Sequence, residues 1–509
     1  MSRMFSALAA ITVVAHSIPS ATRAADFNFF GRSGDAIEIN LAALPGVGAG
    51  ATFSGLNTSG FAGHTVLASD TLTGQSFASA GRLWMFANPA RNTPALGDTN
   101  PAARGFQGTL SGSLLVNGVE KTFSVTVRPG YTGSGAGSVG QSLERINWPA
   151  NNPLYVAQQQ QRLRHLGFVR QGGAALAVDG IFGPATDEAT RTFQGAFIGG
   201  YNTTQADADG IIGPNTAGWL NAANAPTWSE LIDPDPQRPG TFSTATMIGN
   251  FDIYPGPDPG SGARTGLTPQ PERFATSWTV DLIFEGSALA KSETGRTQRV
   301  NALSMADGYG SSCCHNTHRV GMDIDLYTNS STWNYGNGVR DAEEQIVINH
   351  ASAFIRAGAT GWVKRIITSN DDIYDGIAAL NPTTALYYDD SGGHQNHLHI
   401  DVGPPTQIAG LANLSGDFDL NDVVDAADYV LWRKSLGTMY TQPQYNTWRA
   451  NFGKVRAGAA GTGSGAQAVG IPEPATAIML LWATILLCCG RSFRRRIAAA
   501  ALAKPQAAN

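Results

Sequence analysis

Charge is scarce in this chain. Only 14% of its 509 residues are Asp, Glu, Lys or Arg, against roughly 25% in ordinary globular proteins. The formal net charge is −5. No basic run interrupts the body of the chain, which argues against a nucleic acid as partner. Cysteine is also sparse, with two adjacent pairs, Cys313-Cys314 and Cys488-Cys489. Sequence neighbours do not build a disulfide framework, because a normal bridge joins well separated Cα atoms. They read as buried, inert thiols, although Cys313-Cys314 directly precedes His315, which leaves a metal or redox role open. What is abundant is glycine, 60 residues. The length is too great for one domain and implies three or four modules.

Apolar runs mark the two ends. Residues 1–24 read as a signal peptide: Arg3 is the charged start, Phe5 to Val14 is mostly apolar, and Thr22-Arg23-Ala24 supplies a small-residue cleavage pattern before Ala25. Export would place the chain in an oxidising or periplasmic compartment. At the other end a small-residue linker, Ala457 to Gly470, leads to Pro472-Glu473-Pro474, an apolar run Ala475 to Cys489, and then Arg491 and Arg494 to Arg496. The run is short beside the roughly 20 residues of a transmembrane helix. Trp482 and the arginines nonetheless suit a membrane-edge segment with its positive end inside. The arrangement over residues 471–497 closely resembles PEP-CTERM sorting signals. That resemblance implies a sorting protease as partner, and a periplasmic or cell-surface protein that is membrane-anchored before sorting. A permanent anchor is the competing reading.

Residues 25–140 read as a β-rich domain of unknown role. Leu110 to Val116, Asn117-Gly118 and Val119 to Val127 form a hairpin signal, since Asn-Gly suits a type I′ turn. Thr132 to Gly140 is a Gly/Ser-rich linker. Residues 153–223 change to helical spacing, at Val156, Leu163 and Leu166 and then at Ala189, Phe193 and Phe197. Two similar turns, Asp179 to Pro184 and Asp209 to Pro214, each lead into a helix, the second carrying Trp219 and Leu220. This combination resembles the helical peptidoglycan-binding domain attached to cell-wall hydrolases, which implies peptidoglycan as a partner.

Pro226 to Gly266 is rich in loops. Residues 267–405 read as an α+β domain, with strands expected at Ser277 to Phe284 and Trp362 to Thr368 and a helix at Ala342 to Ala357. Residues 414–454 begin with an acidic loop. Asp417, Asp419, Asn421, Asp425 and Asp428, with the Val423 carbonyl, fall at the offsets of oxygen ligands for Ca²⁺. A helix with Tyr429, Leu431 and Trp432 follows. This resembles the first calcium repeat of type I dockerins and implies a structural Ca²⁺. Asp422 stands where the repeat has Gly, and the second half, Tyr445 to Gly453, lacks an acidic loop; both argue against a cohesin partner. The expected architecture is therefore multi-domain: a mostly β N-terminal domain, a small all-α domain, an α+β domain and a short helical calcium-loop module.

Five of the nine histidines fall in two short stretches, HNTHRVGMDIDLY from His315 to Tyr327 and HQNHLHIDV from His394 to Val402. Both alternate like strands. Met322, Ile324 and Leu326 would face one side and Asp323, Asp325 and Tyr327 the other; Leu398, Ile400 and Val402 alternate with His397, His399 and Asp401. His318, Asp325 and His399 then supply two nitrogens and one oxygen, a three-ligand zinc set with a fourth position for water. His397 lies two residues before His399, placed to act on that water. His315 and His394 are left to hold substrate, assist the base or bind a second metal.

The two motifs resemble the penicillin-insensitive murein endopeptidases, within the zinc peptidases that share H-x6-D and a later H-x-H. The resemblance implies Zn²⁺ on His318, Asp325 and His399, and a catalytic His397. His315 and His394 match two further active-site histidines, His315 on the metal side and His394 on the catalytic side. Asn396 stands where the D-Ala-D-Ala carboxypeptidases carry Glu, which favours the endopeptidase branch. The implied activity is that of an exported zinc metallopeptidase hydrolysing peptide bonds of peptidoglycan through a metal-activated water. The alternative is a non-catalytic, zinc-containing cell-wall-binding surface protein, against which His397 speaks.

Overall fold

The computed structural model describes residues 25–44, 47–48, 50–68, 81–88, 104–133, 151–169, 175–198, 208–231, 251–253, 274–304, 308, 318, 320–328, 338–357, 362–380, 382–403, 414–437 and 440–455. All of them fall in one compact unit, Met1–Ala459. The signal-peptide stretch, His315, Cys313-Cys314, Cys488-Cys489 and the sorting-signal stretch lie outside the described residues. Among the described residues no helix is long and apolar enough to cross a membrane.

The first part is all β. Strands β1 (Phe27–Arg32), β7 (Val119–Arg128), β6 (Gly108–Val116) and β3 (Phe53–Asn57) make one sheet in the order β1-β7-β6-β3. Strands β2 (Ile37–Asn40), β5 (Arg82–Phe86) and β4 (Thr65–Ala68) make a second sheet. Alternate residues of both sheets, among them Phe29, Ile39, Leu83, Met85, Phe123 and Val125, fill one core between them. The expected hairpin is β6–β7, with Val116 opposite Val119 and positive φ at Asn117 (50°) and Gly118 (77°), as the primed turn demands.

Three helices follow: α1 (Pro153–His165), α2 (Pro184–Ile198) and α3 (Pro214–Asn221). Each has proline in its first turn, where the missing N–H costs nothing. The two similar turns are built by one device used twice. Gln160 on α1 donates to Asp179 (2.9 Å) and the Ile181 carbonyl (3.0 Å) and accepts from the N–H groups of Asp179 and Gly180. Gln194 on α2 donates to Asp209 (2.6 Å) and the Ile211 carbonyl (3.0 Å) and accepts from Gly210 N–H.

The α+β part carries a six-stranded sheet in the order β14-β13-β15-β12-β11-β9. Its strands are β9 (Phe251–Ile253), β11 (Gln298–Val300), β12 (Asp323–Thr328), β13 (Val363–Thr368), β14 (Ala385–Tyr388) and β15 (Leu398–Val402). A short strand, β8 (Trp228–Glu230), pairs antiparallel with β10 (Phe274–Thr276). Helices α4 (Ser277–Thr294), α5 (Ala342–Arg356) and α6 (Asp371–Ala378) complete it.

Ser277 to Phe284 is thus the start of α4 and not the strand that the sequence suggests. Thr276 caps it, Gly295 ends it in the left-handed conformation (φ 68°), and Trp278, Val280, Leu282 and Ile283 are all buried. A helix buried around most of its circumference loses the 3.6-residue alternation that would reveal it. The α+β core is also continuous with that of the helical part. Trp228 lies against Phe168 and Phe274, and Trp219 against Trp278. The last part pairs α7 (Ala426–Lys434) with α8 (Gln442–Asn451) through Trp432 and Trp448, both buried.

Candidate functional site

Strands β12 and β15 are antiparallel neighbours, with Asp325 opposite His399 and Asp323 opposite Asp401. Ile324, Leu326, Leu398 and Ile400 point to the core. The alternation therefore delivers Asp323, Asp325, His399 and Asp401 to one face, all buried. His318, in the turn before β12, reaches the same point.

The three predicted ligand atoms converge. His318 Nε2 lies 3.2 Å from His399 Nδ1 and 3.3 Å from Asp325 Oδ1, and His399 Nδ1 lies 2.9 Å from that same oxygen. Bonds of 2.0–2.1 Å in a tetrahedral zinc site imply donor atoms about 3.3 Å apart. The hydrogen bonds behind the cluster fix which nitrogens face it. His318 Nδ1 is 2.8 Å from the Leu303 carbonyl oxygen, which can only accept, so Nδ1 carries the proton and Nε2 presents its lone pair. His399 Nε2 is 3.0 Å from Asp401 Oδ1, so Nδ1 is the nitrogen turned inward. Arg365 on β13 pairs with the other oxygen of Asp401.

Two lone pairs and a carboxylate facing one another repel unless a proton or a metal ion sits among them. The titration tendencies say the same. Burial by itself would lower the pKa of His318, but the charge of Asp325 and its hydrogen bond outweigh burial and raise it. Burial is likewise overcome at His399, which is raised well above its usual value by hydrogen bonds to Asp323, Asp325 and Asp401. At Asp325 burial would raise the pKa, yet the charges of His318 and His397 hold it well below the ordinary range. A second acid–imidazole set, Asp323, His399 and Asp401, has His399 Nε2 3.5 Å from Asp323 Oδ1 and 3.0 Å from Asp401 Oδ1. Its Asp401 is already neutralised by Arg365, so it serves better to orient His399 than to hold an ion.

The other histidines gather at the rim. His397 Nε2 lies 3.6 Å from Asp325 Oδ1, and its ring stacks on Tyr327 at 5.0 Å between centroids. Asn396 Oδ1 lies 2.8 Å from His397 Nδ1. The His394 ring is 5.0 Å from His397 and 5.6 Å from His399. Asp389 holds His394 through Nδ1 at 2.7 Å, and Ser369 donates to the same carboxylate oxygen. Sequence reasoning missed Asp389, Arg365, the Leu303 carbonyl and the orienting role of Asp401. Asp401 was signalled by its position two residues past His399 on the same strand face. Arg365 comes from another strand and left no local trace.

The acidic loop is partly assembled. Asp417, Asp419 and Asp428 bring carboxylate oxygens within 4.8 Å of one another. Burial, and then the charge of Asp428, push Asp417 up to about 7, the mark of crowded, buried carboxylates. All three carboxylates also accept from backbone N–H groups of the loop, as do two further predicted ligands. Asn421 accepts from Val423 N–H (2.9 Å), and Asp425 caps α7 by accepting from Ala427 N–H (2.7 Å).

Comparison with known families matches residues 155–220, spanning α1 to α3, to a peptidoglycan binding domain. No curated protein matches the chain in sequence. The match supports peptidoglycan as a partner and association with the cell wall.

Proposed function

We propose that the chain is an exported zinc metallopeptidase that cuts peptide bonds in the wall polymer its helical domain binds. The observation that carries this reading is the convergence of His318 Nε2, Asp325 Oδ1 and His399 Nδ1 at 2.9–3.3 Å, with both imidazole lone pairs turned inward by outer hydrogen bonds. These three residues would hold the ion. A zinc ion bound there lowers the pKa of its water towards about 7 and polarises a carbonyl.

The chain's own groups supply the rest. His397, beside Asp325 and packed on Tyr327, accepts a proton at Nε2 and passes it to the leaving amine. Asn396 orients it through Nδ1. His394, fixed by Asp389 and Ser369, lines the same rim, and with Nδ1 donating to Asp389 its Nε2 is left to meet substrate. The wall-binding helices share a core with the catalytic sheet through Trp219, Trp228 and Trp278. Holding the polymer on that part raises its effective concentration at the centre.

Asp417, Asp419 and Asp428 form a structural Ca²⁺ loop in this reading, and the C-terminal segment is a sorting signal. Incubation of purified peptidoglycan with the zinc-loaded protein tests the enzyme claim. New free amino groups in the polymer support it. Intact sacculi at full zinc occupancy reduce the chain to a zinc-containing wall-binding protein.

A further inference from the structure

Among its described residues the β domain carries no catalytic cluster, yet one of its turns touches two other parts of the molecule. The turn joins β1 to β2 and reads Arg32-Ser33-Gly34-Asp35. On one side it meets α1. Gln161 donates to the Ser33 carbonyl and, at 2.7 Å, to the Ala87 carbonyl. Arg162 donates to the Gly34 carbonyl (3.2 Å) and to Asp35 (2.9 Å), while its guanidinium lies 3.8 Å from the Tyr131 ring centroid. Ser33, Gln161, Arg162 and His165 are all buried. The approach is so close that a Cβ at Gly34 would come within 2.9 Å of His165 and Tyr131.

On the other side the turn meets the acidic loop, about 390 residues later in the chain. Arg32, 2% exposed, donates to Asp422 at 2.7 Å and lies 4.0 Å from Asp417. Asp422 sits at φ 69°, a left-handed conformation that favours glycine. A carboxylate there satisfies Arg32, which a glycine could not do.

We propose that the N-terminal β domain is an intramolecular adaptor. Its β1–β2 turn fastens the peptidoglycan-binding helix through Asp35 and the Ser33 and Gly34 carbonyls. The same turn fastens the C-terminal acidic loop through Arg32. The partner of the acidic module is then this chain's own β domain, and Asp422 is its contact residue. The inference stands on the turn's contacts and does not depend on the peptidase reading or on a bound Ca²⁺.

Hydrogen–deuterium exchange on the purified full chain tests both contacts. Glycine suits the backbone at 422, so Asp422→Gly keeps the loop's own fold. It is expected to speed exchange of the Ser33 and Gly34 amides about tenfold, through loss of the two hydrogen bonds from Arg32 to the Asp422 carboxylate. Gly34→Val, which forces the turn away from His165 and Tyr131, is expected to speed exchange along α1 while leaving zinc content unchanged. Wild-type rates at Ser33 and Gly34 in Asp422→Gly, or along α1 in Gly34→Val, would overturn the adaptor role.

Discussion

Asp401 accepts a hydrogen bond from His399 Nε2 at 3.0 Å, and that contact decides which face of the imidazole meets Asp325 and His318. Partners behind metal-binding histidines fix tautomer and ring orientation. Asp401→Ala is expected to weaken zinc binding by about 10- to 100-fold with all three ligands still present. Asp401→Asn keeps an acceptor and loses less. Competition against a chromophoric chelator measures both.

In the proposed mechanism His397 contributes to chemistry and not to metal capture. His397→Ala is expected to retain one equivalent of zinc and to lose peptide hydrolysis by about 10²- to 10⁴-fold, the usual worth of a positioned proton carrier. Metal analysis and a hydrolysis rate on the same sample separate these. Loss of zinc in this variant would place His397 among the ligands.

The Gln160 side chain holds one of the two repeated turns. Replacing it with leucine strands the N–H groups of Asp179 and Gly180. The expected cost is about 2–4 kcal/mol, seen as a lower melting temperature and weaker retention on sacculi. Unchanged melting would mean that the turn forms without it.

His350, on α5, is buried beside Thr294, 3.1 Å from its hydroxyl. Burial, helped by the charge of Arg296, lowers its pKa from 6.5 to about 4. The unfolded chain therefore binds the proton more readily than the folded one between pH 6.5 and 4. Stability is full above that window and falls as the pH drops through it, by about 2 kcal/mol at pH 5. His350→Gln is expected to flatten this part of the stability–pH curve, measured by denaturant unfolding of the full chain.

The convergence of His318, Asp325 and His399 was legible because a two-residue period puts Asp325 and His399 on the buried polar face of their strands, and a short turn carries His318 to them. The helical part was legible for a similar reason: its two Asp-Gly turns repeat one hydrogen-bonding device. Contacts across strands and loops were not. Arg365 reaches Asp401 from β13, and Asp389 reaches His394 from a loop, with no spacing to betray either. Helix α4 hid behind continuous burial. The joining of the helical and α+β parts by Trp219, Trp228 and Trp278 was equally hidden, since an aromatic residue in a sequence does not say which module it packs against.

The most direct measurement is mass spectrometry of the fragments released from purified peptidoglycan by the zinc-loaded protein, with His397→Ala as its partner. The account predicts peptide-bond cleavage in stem or cross-link peptides by the wild type, abolished by chelation and absent with His397→Ala. Unchanged polymer with the wild type, at one bound zinc per chain and with binding to sacculi intact, would contradict it.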